Sequence, residues 1–151
     1  MEIRVDDLLG PEIVMLLNEH LEDMYATSPP ESVHALDLSK LRQPEITFWT
    51  VWDNGQLAAC GGIKQLTTTH AEIKSMRVAN AHRRKGVAAK LLQHILDFAQ
   101  TKGYQKISLE TGTMDFFAPA RQLYSRFGFQ EGDTFADYPI DPNSMFMHKI
   151  L

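Results

Sequence analysis

Arg83-Arg84-Lys85-Gly86-Val87-Ala88 sets three cations and a glycine at the point where a helical pattern begins. The first turn of a helix presents backbone N–H groups with no i−4 carbonyl, at the positive end of the dipole, and both features suit a phosphate. Gly86 lets the main chain approach an anion without a Cβ in the way and is free to take positive φ. Val87 and Ala88 add amides, and the small side chain at 88 permits close approach. A diphosphate asks for clustered amides and for counter-charge, and this loop offers both. Taken by itself the stretch also fits a solvated basic turn ahead of a helix. It lacks the Gly-Lys-Ser/Thr ending of a P-loop and carries one glycine of the three in a dinucleotide fingerprint.

The elements on either side must hold that loop. Residues 71–78 read as a strand, and Ala88, Leu91, Leu92, Ile95, Leu96 and Ala99 form one apolar stripe at helical period, ended by Gly103. Residues 106–110 read as the next strand, a β-α-β crossover that makes the two strands parallel. Upstream, residues 46–52 and 57–66 flank Asp53-Asn54-Gly55-Gln56, and Asn-Gly between such runs signals a hairpin. With 71–78 they form an antiparallel meander. A strand candidate at 2–5 precedes a helix opened by Pro11, with Val14, Leu17, Leu21 and Met24 on its apolar face and Ser28-Pro29-Pro30 as its stop. Residues 32–41 fit a second short helix through Val33, Leu36 and Leu41. A helix over 119–127 closes at Gly128, followed by strands near 129–130 and at 144–150. The expected fold is a single α/β domain of α+β type, residues 1–151. Its mixed, mostly antiparallel sheet contains one parallel pair and carries helices on both faces.

Three segments together resemble a known family. Ser75-Met76-Arg77-Val78, the basic loop with its helix, and Ala120-x-x-Leu123-Tyr124-x-x-x-Gly128-Phe129 look like the GNAT superfamily of acetyl-CoA-dependent N-acetyltransferases. The loop matches that family's Arg/Gln-x-x-Gly-x-Gly/Ala signature with Ala88 in the last place, and the order of elements agrees across nearly the whole chain. Leu109-Glu110-Thr111-Gly112 and residues 141–147 are similar to a bacterial subgroup without assigned substrates. The resemblance implies acetyl-CoA as cosubstrate. It lays the backbone of Met76 and Val78 along the pantetheine arm, as though that arm were an added strand. It puts the pyrophosphate on amides between Arg83 and Ala88, with the side chains of Arg83, Arg84 and Lys85 binding or steering phosphates. It also implies that strands 71–78 and 105–110 splay apart to admit the thioester, the kind of gap at which open sheets take ligands.

Acetyl transfer to an amine requires a neutral nitrogen, a stabilised tetrahedral oxyanion and a proton for the departing thiolate. The family's usual proton donor falls on Tyr124. A phenol of pKa about 10 protonates a thiolate whose acid is near 8.5 only modestly uphill. Without the resemblance, Tyr124 fits a ring packed on Leu123 and Phe129. Glu72 is the first choice as base and Glu110 its rival, and either also fits a carboxylate paired with Lys74 or Arg121. Strict alternation, barring a bulge, puts Glu72, Lys74 and Met76 on one face and Ile73, Ser75 and Arg77 on the other. The Met76 amide is a candidate oxyanion donor. Many family members carry asparagine seven residues before the tyrosine; here that place is Phe117, within a long connection, 111–119. Glu72, Lys74, Glu110, Phe117 and Tyr138 are the candidates for the acceptor pocket, with His34 a further one.

Composition narrows the field. At 151 residues, 44% hydrophobic and 23% charged, the chain has globular rather than disordered or fibrous character. No apolar run reaches the roughly 18 residues of a membrane-spanning helix. Met1-Glu2-Ile3-Arg4-Val5-Asp6-Asp7 lacks the pattern of a signal peptide, so a cytoplasmic location is expected. A formal charge of −4 argues against nucleic acid as a partner and mildly suits a cationic acceptor. The six histidines show no metal-ligand spacing, so no metal is expected. Cys60 lies in an apolar run and reads as a buried thiol. The expected function is transfer of an acetyl group to a small-molecule or amino-acid-like amine by direct attack, since no Cys-His or Ser-His-Asp arrangement is recognisable. A homodimer is left open. The alternatives are an acyl-CoA sensor without turnover and a protein or peptide N-acetyltransferase, which requires a wide exposed groove.

Overall fold

The computed structural model describes residues 1–32 and 38–151. Its strands are β1 (Glu2–Val5), β2 (Ile46–Asp53), β3 (Gln56–Gln65), β4 (His70–Val78), β5 (Lys106–Gly112), β6 (Gln130–Gly132) and β7 (Ser144–Ile150). They form one sheet in the order β1-β2-β3-β4-β5-β7-β6. β4 and β5 run parallel, and the other pairs are antiparallel. The helices are α1 (Pro11–Thr27), α2 (Leu38–Leu41), α3 (Val87–Thr101) and α4 (Ala118–Arg126). The expected mixed sheet is therefore present. Asn54 and Gly55, both at positive φ, make the β2–β3 hairpin turn.

Alternation along the strands divides the core in two. Trp49 and Ala59 join the cluster under α3, with Leu91, Leu92, Ile95 and Ala99. Their neighbours Phe48 and Cys60 point the other way, to Leu8, Ile13 and Leu16 beside α1. Cys60 is wholly buried, and burial pushes its thiol up to about 12, which keeps it protonated and unreactive. Trp52 stays partly exposed beneath the Arg4 guanidinium, 5.1 Å from its ring centre.

Some boundaries differ from the sequence reading. α1 buries Ile13 and Leu16 most deeply, while Val14, Leu17, Leu21 and Met24 are half-buried; of these four, Leu17 packs on the Leu8 cluster and Met24 borders a cleft. Of the helix expected at 32–41, Leu38–Leu41 is helical; Val33, His34 and Leu36 lie outside the described residues. β5 runs on to Gly112, and a single 3-10 turn at Asp115–Phe117 precedes α4.

Two irregularities shape the site. β4 and β5 pair only at His70↔Lys106, Ala71↔Ile107 and Glu72↔Ser108. β4 then follows β3 to Val78, while β5 follows β7 along its whole length, so the sheet splits between them. The second irregularity is a bulge. Cys60 faces Arg77 and Gly62 faces Lys74, so β4 carries one residue more than β3 across this stretch, and Ser75 sits at φ 56. The extra residue corrects the alternation expected for this strand. Met76 turns to the α3 side with Ile73, and Arg77 turns to α1, where it meets Asp23 at 2.6 Å.

Candidate active site

The basic loop leaves β4 through a 3-10 turn at Asn80–His82 and is anchored by two buried side chains, His82 and Val87. Arg84 and Gly86 both adopt the left-handed conformation, at φ 64 and φ 76. Gly86 caps α3 with no side-chain hydrogen bond, and Lys90 N donates to Gly86 O at 3.2 Å as the helix begins. The amides of Val87, Ala88 and Ala89 precede that bond and have no i−4 acceptor within the helix. Apart from Gly86 and its chain neighbours, no atom of the described residues lies within 4 Å of where a Cβ on Gly86 would sit. Arg83, Arg84 and Lys85 are exposed around this clear space, and the first turn carries no acid.

Where β4 and β5 part, a cleft of about 100 Å³ opens between α1 and α4. Ile73, Met76, Leu109 and Glu110 form its floor, and His20 and Met24 of α1 face Phe117 and Tyr124. Tyr124 is held by the end of its own helix. Gly128, at φ 92, reverses the chain so that Phe129 N donates to Tyr124 O at 3.0 Å and Gly128 N to Ser125 O at 3.0 Å. Phe129 thereby packs edge-on to the Tyr124 ring, 5.8 Å away. Burial raises the Tyr124 pKa, so the phenol remains protonated at neutral pH.

Glu110 is half-buried in the cleft wall. Burial pushes its carboxyl up to about 7, the Glu72 and Asp141 charges add to the rise, and the Ser144 hydroxyl and Lys74 oppose it. Glu72 is in a different situation. It is 3% exposed, accepts a hydrogen bond from Tyr138 Oη at 2.5 Å, and lies 3.3 Å from the Lys74 ammonium. Lys74 Nζ also donates to Tyr138 Oη at 3.0 Å. Burial and then the Glu72 charge raise the Tyr138 pKa.

A profile of the Acetyltransferase (GNAT) family matches residues 13–129. The chain belongs to the GNAT acetyltransferase family. YsnE of Bacillus subtilis, an uncharacterized N-acetyltransferase, is 58% identical over 151 residues, all of both chains. Among solved structures, a Klebsiella pneumoniae protein classed as an acyl-CoA N-acyltransferase superposes with a TM-score of 0.80 at 25% identity. It covers 99% of this chain and 97% of its own. A GNAT acetyltransferase of Elizabethkingia anophelis, solved with acetyl-CoA bound, has a TM-score of 0.71 at 17% identity over 99% and 97% of the two chains.

Within this GNAT chain, the cleft brings together four residues expected from the sequence: Met76, Glu110, Phe117 and Tyr124. Arg83, Arg84, Lys85, Gly86, Val87 and Ala88 lie in sequence at the entry of α3, and Val78 ends the strand leading to them. Glu72, Lys74 and Tyr138 gather in a closed cluster of their own and do not line the cleft. Arg121 holds the 111–119 connection instead of pairing with an acid, donating to Gly112 O at 2.7 Å and Met114 O at 2.9 Å.

His20, Ser32, Ser75 and Asn143 line the cleft without having been expected there. For Ser75 a signal existed in the Gly61-Gly62 pair inside β3. A Cβ on Gly61 would lie 2.7 Å from Met76 Sδ and 3.3 Å from Leu91, so this glycine makes room for the bulge to turn Met76 inward. The other three come from distant segments and carry no local pattern. Among the described residues no His/Cys/Asp/Glu group has the geometry to hold a metal, and no helix is long and apolar enough to cross a membrane.

Proposed function

We propose that this enzyme transfers the acetyl group of acetyl-CoA to the primary amine of a small acceptor held in the cleft, by direct attack on the thioester. The observation that carries this reading is the meeting, in one cleft at the split of the sheet, of a carboxyl near neutrality and a protonated phenol. The residues present suit the cosubstrate. The helix-entry amides with Arg83, Arg84 and Lys85 match its diphosphate, and the edge of β4 beyond Glu72, unpaired to β5, offers Met76 and Val78 backbone groups to its arm.

When bound, acetyl-CoA would supply the acyl carbon, which gains a bond to the amine nitrogen and then gives up its bond to sulfur, with negative charge on the carbonyl oxygen in between. Glu110 takes the proton that the amine must shed, and is charged for that task above about pH 7. Glu110 thus replaces Glu72 as the preferred base, because Glu72 already accepts from Tyr138 and is not among the residues that line the cleft. Tyr124 offers its O–H to the leaving sulfur, and the Met76 amide is the candidate donor to the developing oxyanion. A cleft of about 100 Å³ favours a small acceptor over a peptide, and Glu110 among its walls favours a cationic one.

Mass spectrometry after incubation with acetyl-CoA and a panel of small amines, amino acids and peptides tests this reading. Equal yields of free thiol and an acetylated small amine are expected. Thiol release with no acetylated amine, or acetylation of peptides alone, would contradict it. Tyr124→Phe is expected to lower kcat by about 10²-fold, the low end for a general acid because a thiolate leaves readily. Calorimetry should find its affinity for acetyl-CoA unchanged, and an unaltered kcat would remove Tyr124 from the mechanism.

A further inference from the structure

Glu72 occupies the last rung on which β4 and β5 still pair, opposite Ser108. Glu110 is two residues beyond Ser108, so it shares the face of Glu72 and is the first residue on that face after the strands have parted. The triangle of Glu72, Lys74 and Tyr138 is closed. One carboxylate oxygen, Oε2, takes both the tyrosine hydroxyl at 2.5 Å and the ammonium at 3.3 Å. Tyr138 comes from the segment between β6 and β7, and its ring packs on Phe135 at 5.2 Å and Phe146 at 5.8 Å. Such a carboxylate is well placed to act on its neighbour and badly placed to reach an acceptor.

We propose that Glu72 serves the reaction through Glu110, as a positioning residue: the Glu72–Lys74–Tyr138 cluster sets the field at the Glu110 carboxyl and ties the β6–β7 segment over the apex of the split sheet. This rests on Glu110 being the base. Among the described residues, the charged and polar groups acting on Glu110 are Glu72 and Lys74 from β4, Asp141 from the β6–β7 segment and the Ser144 hydroxyl from β7, with the Tyr138 hydroxyl in the same field. His20 of α1 and Tyr124 of α4 complete the wall. His20 contributes no charge at neutral pH, because burial and then Arg77 lower its pKa to about 4. Glu72 and Lys74 act on Glu110 with opposite signs. A purely structural role gives no such split, because loosening the site from either residue admits water and moves Glu110 the same way, downward.

The test is the pH profile of kcat/KM, whose acid limb in the wild type rises with pH as Glu110 ionises. Glu72→Gln is expected to move that limb to lower pH, and Lys74→Met to higher pH, each by roughly half a pH unit. Tyr138→Phe keeps both charges and should leave the limb in place. Should Lys74→Met fail to fold with Glu72 unpaired, the double variant Glu72→Gln/Lys74→Met removes both charges, and its limb should return toward the wild type. Limbs that move together or stay fixed would overturn the inference while leaving Glu110 as base. A limb that vanishes in Glu72→Gln, or survives in Glu110→Gln, would overturn both.

Discussion

Glu110→Gln should lower kcat/KM at pH 8 by about 10³-fold and erase the acid limb of its pH profile. The carboxyl stands near 7 chiefly because its surroundings exclude water, so it gains its charge, and its capacity to take a proton, across the neutral range. Glutamine preserves the shape and cannot accept that proton. The same substitution has a thermal signature of opposite sense. A carboxyl raised from 4.5 when unfolded to about 7 when folded favours the native state below pH 4.5, and that support disappears as pH rises through 7. The glutamine side chain does not ionise, so the melting temperature of the variant should match the wild type near pH 4 and exceed it progressively up to pH 7. Activity lost while stability is gained marks a group kept for chemistry. A variant that loses both would show Glu110 to be a packing residue.

Gly86→Asp should weaken acetyl-CoA binding by about 10³-fold, since a like charge at a binding surface costs several kcal/mol. Two effects combine. At φ 76 a side chain strains the turn by roughly 1–2 kcal/mol. The new carboxylate would also occupy the clear space above the helix entry, where a diphosphate must come. Arg84→Ala removes counter-charge without blocking the amides and should weaken binding less. Isothermal titration of both variants checks the order. Equal affinities for wild type and Gly86→Asp would place the diphosphate elsewhere. The fold should survive, because Gly86 is exposed and packs against nothing.

Much of this architecture was legible because the signals were local. Asn54-Gly55 named its own turn, the α3 stripe named its buried face, and Gly128 named the reversal that brings Phe129 onto Tyr124. The loop at 83–88 could be read for the same reason, since its amides, glycine and cations are contiguous. What escaped was long-range. The preference for Glu110 over Glu72 rests on Tyr138, 66 residues beyond Glu72, donating its hydroxyl to the Glu72 carboxylate. The faces of β4 turned on one extra residue at Ser75, whose trace lay in the glycines of the partner strand. His20 and Asn143 enter the cleft from segments that only the folded sheet brings near.

Backbone amide NMR during titration with coenzyme A probes the helix entry without altering it. The largest chemical-shift changes should fall on Gly86, Val87, Ala88 and Ala89, and should fade when pantetheine, which has no diphosphate, replaces the full carrier. Silent amides at these four positions, while resonances elsewhere follow saturable binding, would contradict the account.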